Sequence, residues 1–171
     1  MKESVFQSEF ARSVKFLCET YGRHIEYTKI PDSPKGAEAR FSARKGYDLF
    51  LIDQGTHIAI ELKQAKKMSL PFNDVTDYQN MKLLHASLAG APSWLVVNFR
   101  VSPSAREAKK RGKEPIISAY AVRIEEWEDA KAWIGRESLP LEWFEENAYQ
   151  LQRLNIDGKI GWDLGCFIEN R

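Results

Sequence analysis

Apolar residues return at helical intervals at the start of the chain. Phe6, Phe10, Val14, Leu17 and Tyr21 fall on one stripe, which predicts an amphipathic helix over residues 3–21 closed by Gly22. A strand is expected at 24–29, after which Pro31, Pro34 and Gly36 open a polar stretch reaching Gly46. Two apolar runs, 47–52 and 57–63, flank Asp53-Gln54-Gly55-Thr56, turn chemistry that predicts an antiparallel hairpin with glycine at a positive φ. A second helix is expected at 74–88, with Asn73 as its N-cap and Tyr78, Met81, Leu84 and Leu88 as its apolar stripe. Strands at 94–99 and 116–124, a basic connector at 106–113 and helices at 125–134 and 141–150 complete the pattern. The order αβββαββ implies an α/β fold, a mixed central sheet flanked by helices.

With 171 residues, 43% of them hydrophobic, the chain suits one domain spanning 1–171 with a core that needs neither disulfides nor a structural metal. Cys18 and Cys166 stand in no ligand-like spacing, and no apolar run approaches the roughly 20 residues that cross a bilayer. The expectation is a reduced, intracellular, cytoplasmic protein without a membrane span. The net charge of +1 conceals an asymmetry. Residues 1–123 carry 20 Lys and Arg against 13 Asp and Glu, a balance of +7, while residues 124–171, an acidic C-terminal extension of the same domain, carry 5 against 11, or −6. A basic portion suits a polyanion such as DNA, whose phosphates it neutralises; two ordinary solvated faces give the same count.

Candidate chemistry concentrates in the hairpin. Side chains alternate along a strand, so Glu61 and Lys63 share one face, roughly 6.6 Å apart, while Ile58, Ile60 and Leu62 share the other. Asp48 begins the partner strand and reaches the same end of the sheet. Phosphodiester hydrolysis calls for a hard divalent cation, Mg²⁺ or Mn²⁺, held by carboxylate and carbonyl oxygens. Asp48, Glu61 and the backbone carbonyl of Leu62 offer such a set, and Lys63 offers a cation for developing negative charge. An exposed Glu-x-Lys pair also marks many solvated strand faces. His24, His57 and His85 make no ligand pattern, and neither a GxxxxGK[ST] loop nor a GxSxG elbow occurs, which leaves zinc, nucleotide-driven and serine-hydrolase chemistry without support.

Tyr47-Asp48 followed by Glu61-Leu62-Lys63 resembles the PD-(D/E)XK nuclease signature, with Tyr47 in place of the proline. Ser69-Leu70-Pro71-Phe72 and Asp77-Tyr78-Gln79 resemble the segment after the catalytic lysine in RecU-type Holliday junction resolvases. Ala119-Tyr120-Ala121-Val122 and Leu139-Pro140-Leu141-Glu142 resemble that family's later strand and tail. The similarity is most specific from about Tyr47 to Arg100. It implies a restriction-endonuclease-like fold, a homodimer acting on branched DNA, Asp48 and Glu61 as metal carboxylates, Lys63 positioning water or stabilising the transition state, and Gln79 as an accessory residue. Glu9 would match the acidic residue on the first helix of archaeal and RecU-type resolvases; as a boundary charge it needs no such role.

Lys35, Arg40, Arg44 and Lys45, with Phe41 among them, immediately precede Asp48 and suit a phosphate-gripping arm, which Lys66 and Lys67 would extend, as would Arg106, Lys109, Lys110, Arg111 and Lys113. In RecU-type enzymes the matching region is a longer stalk that enters the junction, so the shorter stretch here leaves four-way selectivity open. The function expected is a metal-dependent structure-selective endonuclease. The alternatives are a nuclease of the same fold on another DNA substrate and a non-catalytic nucleic-acid-binding module.

Overall fold

A computed structural model describes residues 5–31, 45–103, 114–165 and 167. The chain runs through α1 (Val5–Tyr21), β1 (Ile25–Lys29), β2 (Leu49–Asp53), β3 (Thr56–Ala65), β4 (Ser69–Pro71), a 3-10 turn (Phe72–Asp74), α2 (Asp77–Leu88), β5 (Ser93–Val101) and β6 (Ile116–Arg123). It continues through α3 (Ile124–Trp133), β7 (Ser138–Pro140), α4 (Leu141–Asn147), β8 (Tyr149–Leu151), β9 (Arg153–Ile156) and β10 (Lys159–Trp162). Six strands form one sheet in the order β1-β2-β3-β5-β6-β8. Only the β3–β5 pair is parallel, as it must be when α2 carries the chain back across the sheet. The expected mixed α/β architecture is therefore present.

Alternation along the strands divides the interior in two. Leu49, Leu51, Ile58, Ile60, Trp94 and Val96 point to the face covered by α1 and the β9–β10 hairpin. Ala59, Leu95, Val97, Phe99, Tyr120 and Val122 point to the face covered by α2, α3 and α4. A sheet buried on both faces needs apolar residues at nearly every position, which explains the unbroken Trp94–Phe99 run. The hairpin turn is as expected. Asp53 lies opposite Thr56, and Gln54 (φ 50°) and Gly55 (φ 82°) both adopt left-handed conformations, the I′ geometry that matches strand twist.

Several boundaries depart from expectation. Helix α2 starts at Asp77, not 74, because Thr76 caps it: its hydroxyl accepts from Gln79 N, and the Gln79 side chain accepts from Thr76 N. Asn73 sits in the preceding 3-10 turn instead. The stripe is also rotated: Asn80 and Leu83 are the buried residues of α2, while Leu88 is 86% exposed. Packing onto β3 and β5 selected the face carrying Gln79, Asn80 and Leu83 over the more apolar one. The expected 141–150 helix stops at Asn147, and Tyr149–Leu151 becomes the strand that edges the sheet beside β6. The β9–β10 hairpin went unanticipated, although Asp157-Gly158, both at positive φ, is a turn signal.

Candidate metal centre

The site lies where the sheet changes depth. Strand β2 ends at Leu49, opposite Ile60, whereas β3 runs on to Ala65 with β5 alone as its neighbour. Among the described residues, one edge of β3 beyond Ile60 thus has no ladder partner. Asp48 fills the first step of this gap. Its N–H donates to Ile60 O (3.1 Å) and its carbonyl accepts from Ile30 N (2.8 Å), which pins the backbone between two strands. Its carboxylate Oδ2 then accepts from Leu62 N (2.9 Å), taking the place of a ladder carbonyl. In a strand the N–H and C=O of one residue point to the same edge, so the Leu62 carbonyl faces the same gap as its N–H.

Glu61 and Lys63 project to the α2 side of β3, and Asp48 stands on the same side. Lys63 Nζ is 2.8 Å from Glu61 Oε1. Gln79 joins them: its Nε2 donates to Glu61 Oε1 (2.5 Å), and its Oε1 accepts from Lys63 Nζ (3.1 Å) and from Thr76 N (3.1 Å). The amide can take only this orientation, since the flipped one would set an NH₂ against an ammonium and an oxygen against a carboxylate. Lys45 Nζ lies 2.5 Å from Asp48 Oδ1. Asp48, Glu61, Lys63 and Gln79, together with Lys45 and Leu62, line a cleft of about 350 Å³, completed by Phe6, Gln7 and Gln64.

Glu61 is the least comfortable of these groups. It is 1% exposed, and its Oε2 has no hydrogen-bond partner among the described residues. Burial, and after it the neighbouring Asp48 charge, push its pKa from 4.5 to about 7, against the pull of Lys63 and Lys45. A buried carboxylate oxygen without a hydrogen-bond partner is the kind of group that a bound cation would satisfy. No cluster of three His, Cys, Asp or Glu side chains suited to a metal occurs among the described residues. A cation bound here would therefore take two carboxylates, the Leu62 carbonyl and water, a shell that suits Mg²⁺ or Mn²⁺ better than zinc.

Glu9 is not brought to this cluster. It is buried on the α1 face of the sheet, where Arg100 forms an ion pair with it and Trp162 Nε1 donates to its Oε2 (3.2 Å). Of the basic residues, Lys45 enters the site, whereas Lys66 and Lys67 are exposed beyond the end of β3 and do not line the cleft. Lys35, Arg40, Phe41, Arg44, Arg106, Lys109, Lys110, Arg111 and Lys113 lie outside the described residues. Three contributors escaped the sequence reading. Thr76 was legible as a Thr-x-x-Gln capping box, whereas Gln7 and Gln64 carry no pattern that marks them.

Among solved structures, the chain is similar to Hjc of Archaeoglobus fulgidus, a Holliday junction resolvase from an archaeal hyperthermophile, over 84% of this chain and 94% of that one, with 14% identity and a TM-score of 0.45. No protein-family model and no curated protein matches the chain. No helix among the described residues is long and apolar enough to cross a membrane.

Proposed function

We propose that the protein is a Mg²⁺- or Mn²⁺-dependent DNA endonuclease of restriction-endonuclease-like architecture that cuts branched DNA, four-way junctions foremost. The observation that carries this reading is the convergence of Asp48, Glu61, Lys63 and Gln79 in one cleft, with Glu61 Oε2 buried and unpartnered. Asp48, Glu61 and the Leu62 carbonyl would hold the divalent cation, which when bound would supply an activated water and charge neutralisation at the phosphate. The chain's own residues do the rest. Lys63 Nζ, held between Glu61 and Gln79, is a fixed donor for phosphate or water oxygen. Gln79, anchored at the first turn of α2, holds Glu61 and Lys63 in register. The amide of Leu62 fixes the Asp48 carboxylate.

The preference for branched DNA rests on the sequence resemblance to RecU-type resolvases and on the basic balance of residues 1–123. Resolving a two-fold symmetric junction takes two cuts, so the active species is a homodimer with two such clefts. The shorter stretch before Asp48 supports a second reading, the same chemistry on flaps or duplex. To separate them, a labelled four-way junction and a matched linear duplex are incubated with Mg²⁺, Mn²⁺ or EDTA, using wild type and Asp48→Asn. Paired nicks confined to the junction, lost with EDTA and in the variant while DNA binding persists, are expected. Equal cutting of both DNAs would discard the junction. Salt-sensitive binding with no products under either cation would leave a non-catalytic module.

A further inference from the structure

Helix α1 lines the cleft through Phe6 and Gln7, and of the two only Gln7 is polar. Gln7 and Glu9 are two positions apart, so on an α-helix their side chains diverge by about 160° and only one of them can face a given neighbour. The rotation of α1 is fixed from several directions. Phe6 and Phe10, 1% and 0% exposed, are sunk in the core. Ser13 Oγ donates to Glu9 O (2.7 Å) and accepts from Trp162 N (2.8 Å), and Arg12 Nη1 donates to Ile160 O (2.6 Å). Glu9 itself is spent on Arg100 and Trp162. This clamp turns Gln7, which is half-buried, into the cleft that holds Asp48 and Glu61.

Gln7 approaches from the face of the sheet opposite Gln79. It can do so because the β2 ladder reaches only Leu49 opposite Ile60, and among the described residues no strand continues along that edge of β3, so side chains from both faces meet there. A carboxamide adds no charge to compete for a cation, yet it offers two N–H donors and an acceptor. Phosphate oxygens are acceptors, and a DNA strand entering the cleft beside β3 would pass Gln7 on its way to the carboxylates.

We propose that Gln7 is a substrate-contacting residue, its carboxamide donating to a non-bridging phosphate oxygen of the DNA strand bound in this cleft beside β3. This rests on the nuclease reading above. Glu9, by contrast, is a positioning residue that sets the roll of α1. The test uses the full chain as wild type, Gln7→Met, Gln7→Ala and Glu9→Gln. It measures Mn²⁺ affinity by calorimetry, DNA affinity in Ca²⁺ by fluorescence anisotropy, single-turnover cleavage in Mn²⁺, and thermal unfolding. Both Gln7 variants should still unfold cooperatively and keep the wild-type Mn²⁺ affinity while losing about tenfold or more in DNA affinity, the scale of a hydrogen bond to a charged group. Glu9→Gln should lower the unfolding midpoint and leave Mn²⁺ affinity unchanged. DNA affinity and cleavage within twofold of wild type in folded Gln7 variants would overturn the proposal while the nuclease reading stands. A loss of Mn²⁺ affinity in Glu9→Gln would overturn the division of roles between the two residues. If the wild type neither binds nor cuts DNA, the nuclease reading falls and the role of Gln7 falls with it.

Discussion

Replacing Glu61 by glutamine should stabilise the metal-free protein while removing the metal-dependent cleavage proposed for it. Burial, then the Asp48 charge, raise the Glu61 pKa from 4.5 to about 7. That displacement corresponds to a preference for the neutral form of about 3 kcal/mol at 1.36 kcal/mol per pH unit. The sign follows from linkage. A carboxyl whose folded pKa lies above its unfolded one supports the fold fully below pH 4.5, and that support is lost as pH rises through 7. At pH 8.5 the wild-type chain holds a buried charge, whereas a glutamine holds none. Its oxygen would still accept from Gln79 Nε2 and Lys63 Nζ, and its NH₂ would occupy the place of the unpartnered Oε2. With EDTA at pH 8.5, Glu61→Gln should therefore gain up to about 3 kcal/mol, or about 6–12 °C in unfolding temperature for a domain of this size. At pH 4.5 the two proteins should melt together. Calorimetric melts from pH 4.5 to 8.5, with EDTA and with Mn²⁺, make the measurement. Added Mn²⁺ should raise the wild-type midpoint alone, and its affinity should fall about tenfold per pH unit below 7 as protons compete for the carboxylate. A variant no more stable than wild type at pH 8.5, or a difference that does not grow with pH, would refute the argument that Glu61 is held at a cost the cation relieves.

Two structural supports of the site make further predictions. Arg100→Met should leave the buried Glu9 carboxylate without its cation and cost about 3 kcal/mol, read as a drop in the denaturation midpoint, with Mn²⁺ affinity kept because Glu9 lies on the other face of the sheet. Thr76→Val removes the hydroxyl that accepts from Gln79 N and should cost about 1 kcal/mol of stability. Because Thr76 Oγ1 also donates to Gln79 Oε1 (3.2 Å), the variant should slow cleavage as well, and a loss of stability with unaltered cleavage would show that the cap does not position Gln79.

The geometry explains why the centre can be small. The end of β2, the stretch of β3 beyond Ile60 and the N-terminus of α2 meet, and each gives a side chain held by backbone already committed elsewhere. Asp48 is fixed by Ile30 and Ile60, Glu61 and Lys63 by the pairing of β3 with β5, and Gln79 by the cap of α2. Rigid elements of this kind hold reacting groups in place without reorganisation, the condition under which fixed dipoles and charges act most strongly.

The sequence by itself determined the elements and the kernel of the site. The 2-residue period of β3 sets Glu61 and Lys63 on one face and Ile58, Ile60 and Leu62 on the other, and the Gln54-Gly55 turn sets the register that puts Asp48 at the same end. These are local rules, carried by strand alternation and by residues that tolerate positive φ. Tertiary structure decided what depends on competition between surfaces. Which face of α2 turned inward was settled by the groove between β3 and β5, against the more apolar stripe of Met81 and Leu88, and that choice delivered Gln79. Which polar side chain of α1 reached the cleft was settled by Arg100 and Trp162, distant in sequence, which claimed Glu9 and left Gln7 lining it with the carboxylates. A helical pattern gives the angles between side chains but not the direction in which the helix points, because that direction is fixed only by partners the chain brings in from elsewhere.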